Sequence, residues 1–166
     1  WKLIGFFAIN MVLTSFAYIL IFIVEKVFGF ISVVTLVELS DINNPILREL
    51  SEECPGTFQH SMAVANLVTA AANRVNANVQ LVRAGALYHD IGKTKNPAFF
   101  TENQHGVNPH NSLTPVQSAR VIINHVTDGL RMAEKAKLPR VIRDMIVQHH
   151  GKTTARYFYN TYCNAH

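Results

Sequence analysis

Five of the eight histidines, His60, His89, His125 and the adjacent His149 and His150, punctuate successive helical patterns instead of clustering in one tag or loop. One carboxylate accompanies them, Asp90, directly after His89 in the phrase Leu87-Tyr88-His89-Asp90-Ile91-Gly92-Lys93. A neutral imidazole and an ionised carboxylate are both good ligands for a divalent first-row metal, and the two oxygens of Asp90 allow it to bridge two ions. Gly92 is expected to stop the helix, and Lys93 to place a cation near whatever anion such metals attract. A His-Asp pair by itself is equally compatible with a packed histidine beside a helix-end carboxylate. Six ligand-type residues at helix positions are hard to explain by burial preference alone.

The elements that must position these residues are all helical. Pro55-Gly56-Thr57 breaks the chain, and Thr57 is expected to cap a helix running to about Val75, with His60 in its first turn and Met62, Ala65, Val68 and Ala72 on one apolar face. Asn78 caps the next, in which Val79, Val82, Ala86 and Leu87 precede His89-Asp90 at the end. Residues 101 to 111 (TENQHGVNPHN) form a polar, turn-rich loop holding His105 and His110, and His110 is a candidate substrate-binding residue. Thr114-Pro115 opens a helix with Val116, Ala119, Ile122, Ile123 and Val126 inward and His125 on or beside that face. Leu138-Pro139 opens another, with Val141, Ile142, Met145 and Ile146 buried, ending at His149-His150-Gly151. Ala155 to Cys163 reads as a last, aromatic helix. No alternating strand, glycine-rich phosphate loop or internal repeat is visible.

The chain is 49% hydrophobic and 16% charged, apolar for a soluble domain of this length. The excess sits in Leu3–Val24, a run without a charge that is long enough to cross about 30 Å of hydrocarbon. Because the chain opens on Trp1 and not on Met, it is expected to begin inside a longer protein, which argues against a signal peptide. Residues 27–39 remain apolar but are interrupted by Gly29 and Ser32, and read as a connecting or interfacial helix. Ser40 to Pro45 hands over to a soluble domain through a short helix, Ile46–Glu53. The expected organisation is therefore a membrane span over 1–26, connecting helices over 27–54 and a soluble helical domain over 55–166. The two cysteines form no motif, which favours a reducing compartment. Residues 1–90 hold 5 basic and 7 acidic groups and residues 91–166 hold 10 and 4, giving the net +4 of the whole; a basic second half suits an anionic ligand.

The order His60, His89-Asp90, His125, His149-His150 resembles the HD-domain superfamily of metal-dependent phosphohydrolases. The phrases ELSDINNPILREL, PGTFQHS, YHDIGK, ENQ, NPHNSL, HVTDG and QHHG are similar to the cytoplasmic domain of the seven-transmembrane HD-domain family, bacterial cyclic di-AMP phosphodiesterases. The resemblance runs from about Ser15 to the end. It implies an all-α HD-domain helical bundle preceded by a transmembrane helix. It also implies two divalent ions, manganese or iron: His60, His89 and Asp90 would hold one, and Asp90, His125, His149 and His150 the other. Asp90 and Lys93 are the expected catalytic residues, and Lys93 and His110 the expected substrate contacts. The family has a further aspartate ligand some tens of residues beyond the histidine pair, past His166, so the domain is expected to be truncated there; Asp128 is an outer-shell candidate only.

The resemblance implies a cyclic dinucleotide substrate, membrane lipid around the span, a homo-oligomer as a further partner, no DNA or RNA duplex, and a place at the bacterial cell membrane with the HD domain in the cytoplasm. A cyclic di-GMP enzyme of another HD branch would carry Gly-Tyr-Pro after its histidines, where this chain has Gly151-Lys152-Thr153-Thr154. A reading from another class is a membrane-anchored nucleotide sensor with an incomplete or inactive HD site. Base specificity is not legible in the residues.

Overall fold

The computed structural model describes residues 1–165 and divides into two compact units, residues 1–36 and residues 37 onward. In the first, helix α1 covers Lys2–Phe28. Its Lys2–Val24 stretch is wholly exposed and apolar, 23 residues long, or about 34 Å at 1.5 Å per residue, which is enough to cross a membrane. The polar side chains inside it are satisfied locally: Asn10 Nδ2 donates to the Phe6 carbonyl at 3.1 Å, Thr14 Oγ1 to Asn10 at 2.8 Å and Ser15 Oγ to Met11 at 2.9 Å. Hydrogen bonds of this kind are what an apolar solvent demands. The helix continues two residues past the expected boundary and stops before Gly29, whose φ of +68° glycine adopts without a Cβ penalty. Helix α2 follows at Val33–Leu39.

The second unit holds α3 (Pro45–Glu53), α4 (Pro55–Arg74), α5 (Val79–Tyr88), α6 (Pro115–Lys135), α7 (Arg140–Gln148) and α8 (Arg156–Ala165), and no strand occurs among the described residues. Helix starts follow local chemistry. Asn44 Oδ1 accepts from Ile46 N, Asn78 Oδ1 accepts from Leu81 N, and Thr114 with Gln117 forms a full capping box ahead of Pro115. Leu47 and Leu50 of α3, Ala65 of α4, Leu87 and Tyr88 of α5, and Ile142 and Ile146 of α7 are fully buried together with Ile91.

Three sequence expectations need correction here. Thr57 is not the cap of α4, which starts at Pro55; its hydroxyl and amide are instead engaged from across the fold by Glu102 and Asn103. Gly92 does not end α5, which stops at Tyr88; it lies in a 3-10 turn, Ile91–Lys95, pressed against α6 so closely that a Cβ would stand 1.9 Å from the His125 carbonyl oxygen and 2.4 Å from Gly129 N. The buried line of α6 is Ser118, His125, Gly129 and Ala133, while Val116 and Ile123 are exposed. Small residues win that face because the Ile91–Lys95 turn has to approach the α6 backbone.

The segment between α5 and α6 is a chain of 3-10 turns at Ile91–Lys95, Pro97–Phe99, Thr101–Asn103 and Pro109–Ser112. Asn103 ties it down. Its Oδ1 accepts from Thr57 N at 3.0 Å and its Nδ2 donates to Thr57 Oγ1 at 2.8 Å, with both residues buried.

Candidate metal centre

Four of the five helix-borne histidine positions sit at or near a helix end, and the fifth, His125, faces the buried line of α6. At three of them one device fixes the ring. Nδ1 of His89 lies 2.7 Å from the Ala86 carbonyl, Nδ1 of His149 lies 2.7 Å from that of Ile146, and Nδ1 of His125 contacts that of Ile122. A carbonyl only accepts, so each Nδ1 carries the proton and each Nε2 of the neutral ring presents a lone pair. All three Nε2 atoms turn toward Asp90: His89 stands 3.1 Å from Oδ2, and His125 and His149 stand 3.3 and 3.5 Å from Oδ1.

Asp90 is buried, and its Oδ1 has no hydrogen bond. Backbone carbonyls that engage Nδ1 are how metal sites fix the tautomer and direction of the imidazoles that ligate through Nε2. Ligand atoms of Asp90, His125, His149 and His150 lie within 4.8 Å of one another, as do those of His60, His89 and Asp90. The two sets share Asp90.

The electrostatics fit a cation. Burial alone would raise the Asp90 carboxyl, but positive charge on the Nε2 side of His125, His149 and His89 holds it well below the ordinary carboxylate range. Burial would lower His89, yet the negative charge of Asp90 beside it leaves it raised. Burial, with His149 and His125 beside it, pushes His150 down to about 4, so its ring is neutral and able to ligate near pH 7.

Lys93 is enclosed by carboxylates. Its Nζ lies 2.9 Å from Asp90 Oδ2 and 2.7 Å from Glu102 Oε1, and 5.0 Å from the centre of the Phe100 ring. Burial would lower it, but Asp90 and Glu102 leave it raised, and Lys93 in turn holds Glu102 low against the opposing effect of burial. Glu102 also accepts from Thr57 Oγ1 at 3.1 Å. Sequence reasoning passed over Glu102, Asn103 and Phe100; the phrase ENQ marked the place but not the roles. His110 stands apart from the cluster, its Nε2 3.0 Å from the Phe99 carbonyl. Asp128 pairs with Arg131 at 3.3 Å and Asp144 with Arg140 at 3.7 Å; neither belongs to the two ligand-type groups.

An all-helical unit that gathers imidazoles from α4, α5, α6 and α7 onto one His-Asp step defines a family, and the chain belongs to it: the HD domain family model matches residues 57–161. Among curated proteins it is 47% identical over 136 residues to the cyclic-di-AMP phosphodiesterase PgpH of Listeria monocytogenes and 48% identical over 136 residues to PgpH of Bacillus subtilis, in each case over 81% of this chain and 19% of the relative. The chain thus spans about a fifth of the length of these relatives. Crystal structures of the L. monocytogenes PgpH HD domain superpose with TM-scores of 0.71, at 47% identity over 73% of this chain, and, for the complex with cyclic-di-AMP, 0.72, at 45% identity over 75%. Each match covers 59% of the solved chain. Family membership and the His/Asp cluster together mark the site as one for divalent metal.

Proposed function

We propose that the chain is the phosphodiesterase domain of a membrane-anchored enzyme that hydrolyses cyclic di-AMP to a linear dinucleotide. The observation that carries this is the position of Asp90, a buried carboxylate common to two ligand-type groups with three Nε2 lone pairs turned toward it. The names of the relatives supply the substrate, and the solved complex with cyclic-di-AMP shows that a domain of this kind holds that ligand.

In this reading His60, His89 and Asp90 would hold one ion, and Asp90, His125, His149 and His150 would hold a second, manganese or iron. When bound, such ions would supply Lewis acidity and charge neutralisation at a phosphodiester. The protein's own part is orientation. The Ala86, Ile122 and Ile146 carbonyls fix three tautomers, and the Gly92–α6 contact sets the depth of Asp90. Lys93 balances Asp90 and supplies a cation for the phosphate, with Glu102 restraining its direction. The apolar α1 anchors the protein in a bacterial cell membrane, with the HD domain on the cytoplasmic side.

Purified protein extended past His166 and loaded with manganese is expected to release linear dinucleotide from cyclic di-AMP, with about two metal ions per chain by elemental analysis. Tight binding with a full metal load and no product would replace the enzyme by a nucleotide sensor.

A further inference from the structure

The two oxygens of Asp90 are unequally loaded. Oδ1 faces imidazole nitrogens alone, with His125 Nε2 at 3.3 Å and His149 Nε2 at 3.5 Å. Oδ2 has His89 Nε2 at 3.1 Å and, in addition, the Lys93 ammonium at 2.9 Å. A second cation brought to that same oxygen would meet the ammonium at close range, where little water screens the repulsion. Lys93 therefore competes for Asp90 with any cation that the group of His60, His89 and Asp90 takes up.

The fold gives the ammonium a second place to stay. Glu102 Oε1 lies 2.7 Å from Nζ, closer than Asp90 does, and the Phe100 ring lies beneath Nζ with its centre 5.0 Å away. The Lys93 side chain is only 13% exposed, too enclosed to be left without a counter-charge. Glu102 is itself anchored. Thr57 Oγ1 donates to the same Oε1 at 3.1 Å, and the Thr57 amide donates to Asn103 at 3.0 Å. The Glu102 carbonyl also packs on Gly56 so closely that a Cβ there would stand 1.9 Å from its oxygen. The acceptor for Lys93 is thus held from two elements and does not wander as a surface carboxylate would.

We propose that Glu102 is a positioning residue for metal uptake: it keeps the Lys93 ammonium in the site while freeing Asp90 Oδ2 for a divalent cation. Glu102 acts through Lys93 and does not touch the ion. Lys93 makes no contact with Oδ1, so the effect belongs to one of the two ligand groups. The inference rests on the reading in which His60, His89 and Asp90 would hold one ion, and its test does not require turnover.

Calorimetric titration with manganese chloride, on purified protein extended past His166 and first stripped of metal, reads affinity and stoichiometry together. Glu102→Gln keeps the side chain's shape and an oxygen for Thr57 but removes the counter-charge. It is expected to weaken manganese at one site about 10-fold and to leave the other within about 2-fold. In the Lys93→Met background the same change should shift affinity by no more than about 2-fold, because the competitor is gone. Packing damage would instead lower the number of competent molecules and would persist in the double variant. Unchanged affinity in Glu102→Gln would overturn the proposal, and so would an equal loss in both backgrounds, which would mean that Glu102 acts by its own charge. Lys93→Met alone, which does not depend on the folding of a Glu102 variant, should bind manganese at least as tightly as the unaltered protein; weaker binding there would also overturn it. Unaltered protein that takes up fewer than two ions would sink the two-ion reading and this inference with it, whereas two ions bound alike with and without Glu102 would sink this inference alone.

Discussion

Nε2 of His125 stands 3.3 Å from Nε2 of His149, and both rings give their Nδ1 proton to a backbone carbonyl. Two lone pairs therefore face each other beside the anionic Asp90, an arrangement that repels itself until a cation or proton sits between them. Stripping metal with a chelator is expected to lower the melting temperature by about 5–10 °C, since a ligand at a hundred times its Kd stabilises by about 2.7 kcal/mol. Differential scanning fluorimetry with and without added manganese checks this, and an unchanged transition would count against the site.

Asp90→Ala should empty both ligand groups together, whereas His60→Ala should reduce occupancy on the His89 side alone, because Asp90 is the member they share. Metal content by elemental analysis decides it. An Asp90 variant with its full complement of metal would end the bridging assignment.

Lys93→Met should leave metal content in place while costing about 2 kcal/mol of stability, because it strands Asp90 and Glu102 without their common cation. Urea unfolding reads the loss. KM for cyclic di-AMP should rise if Lys93 also meets the phosphate.

Gly92→Ala should be among the most damaging single methyl additions in the domain. The added carbon would meet backbone at 1.9 Å and 2.4 Å, and backbone cannot rotate away as a side chain does. A cost of about 3 kcal/mol or more is expected, together with reduced metal content, since the turn that shifts carries Asp90. Denaturant midpoint and metal analysis on the same sample test both parts.

Burial, helped by Glu53 and Glu102, pushes the Cys54 thiol up to about 11 from an ordinary 9.0. The folded value lies above the unfolded one, so this contribution is intact below about pH 9 and is lost as pH rises toward 11. Stability should therefore fall by on the order of 2 kcal/mol more across that window than in Cys54→Ala. Exposed Cys163 should alkylate at neutral pH while buried Cys54 should not.

What the residues announce in advance is what depends on near neighbours. Asn78 and Thr114 cap as their types and following residues require, and the helices that carry the histidines start and stop close to their expected positions. Thr57 misled because an equally good partner, Asn103, reaches it from 46 positions away. The α6 face misled for a related reason: apolar periodicity points to Val116 and Ile123, but the close approach of Gly92 favours a line of small residues that no pattern along α6 itself marks. Glu102 is invisible for the same cause, its meaning lying wholly in Lys93 and Thr57.

The Thr57–Asn103 pairing joins residues 46 positions apart, so the start of α4, which carries His60, and the turns beside Lys93 are held as one piece. A change that loosens either end therefore disturbs the cradle from both sides at once.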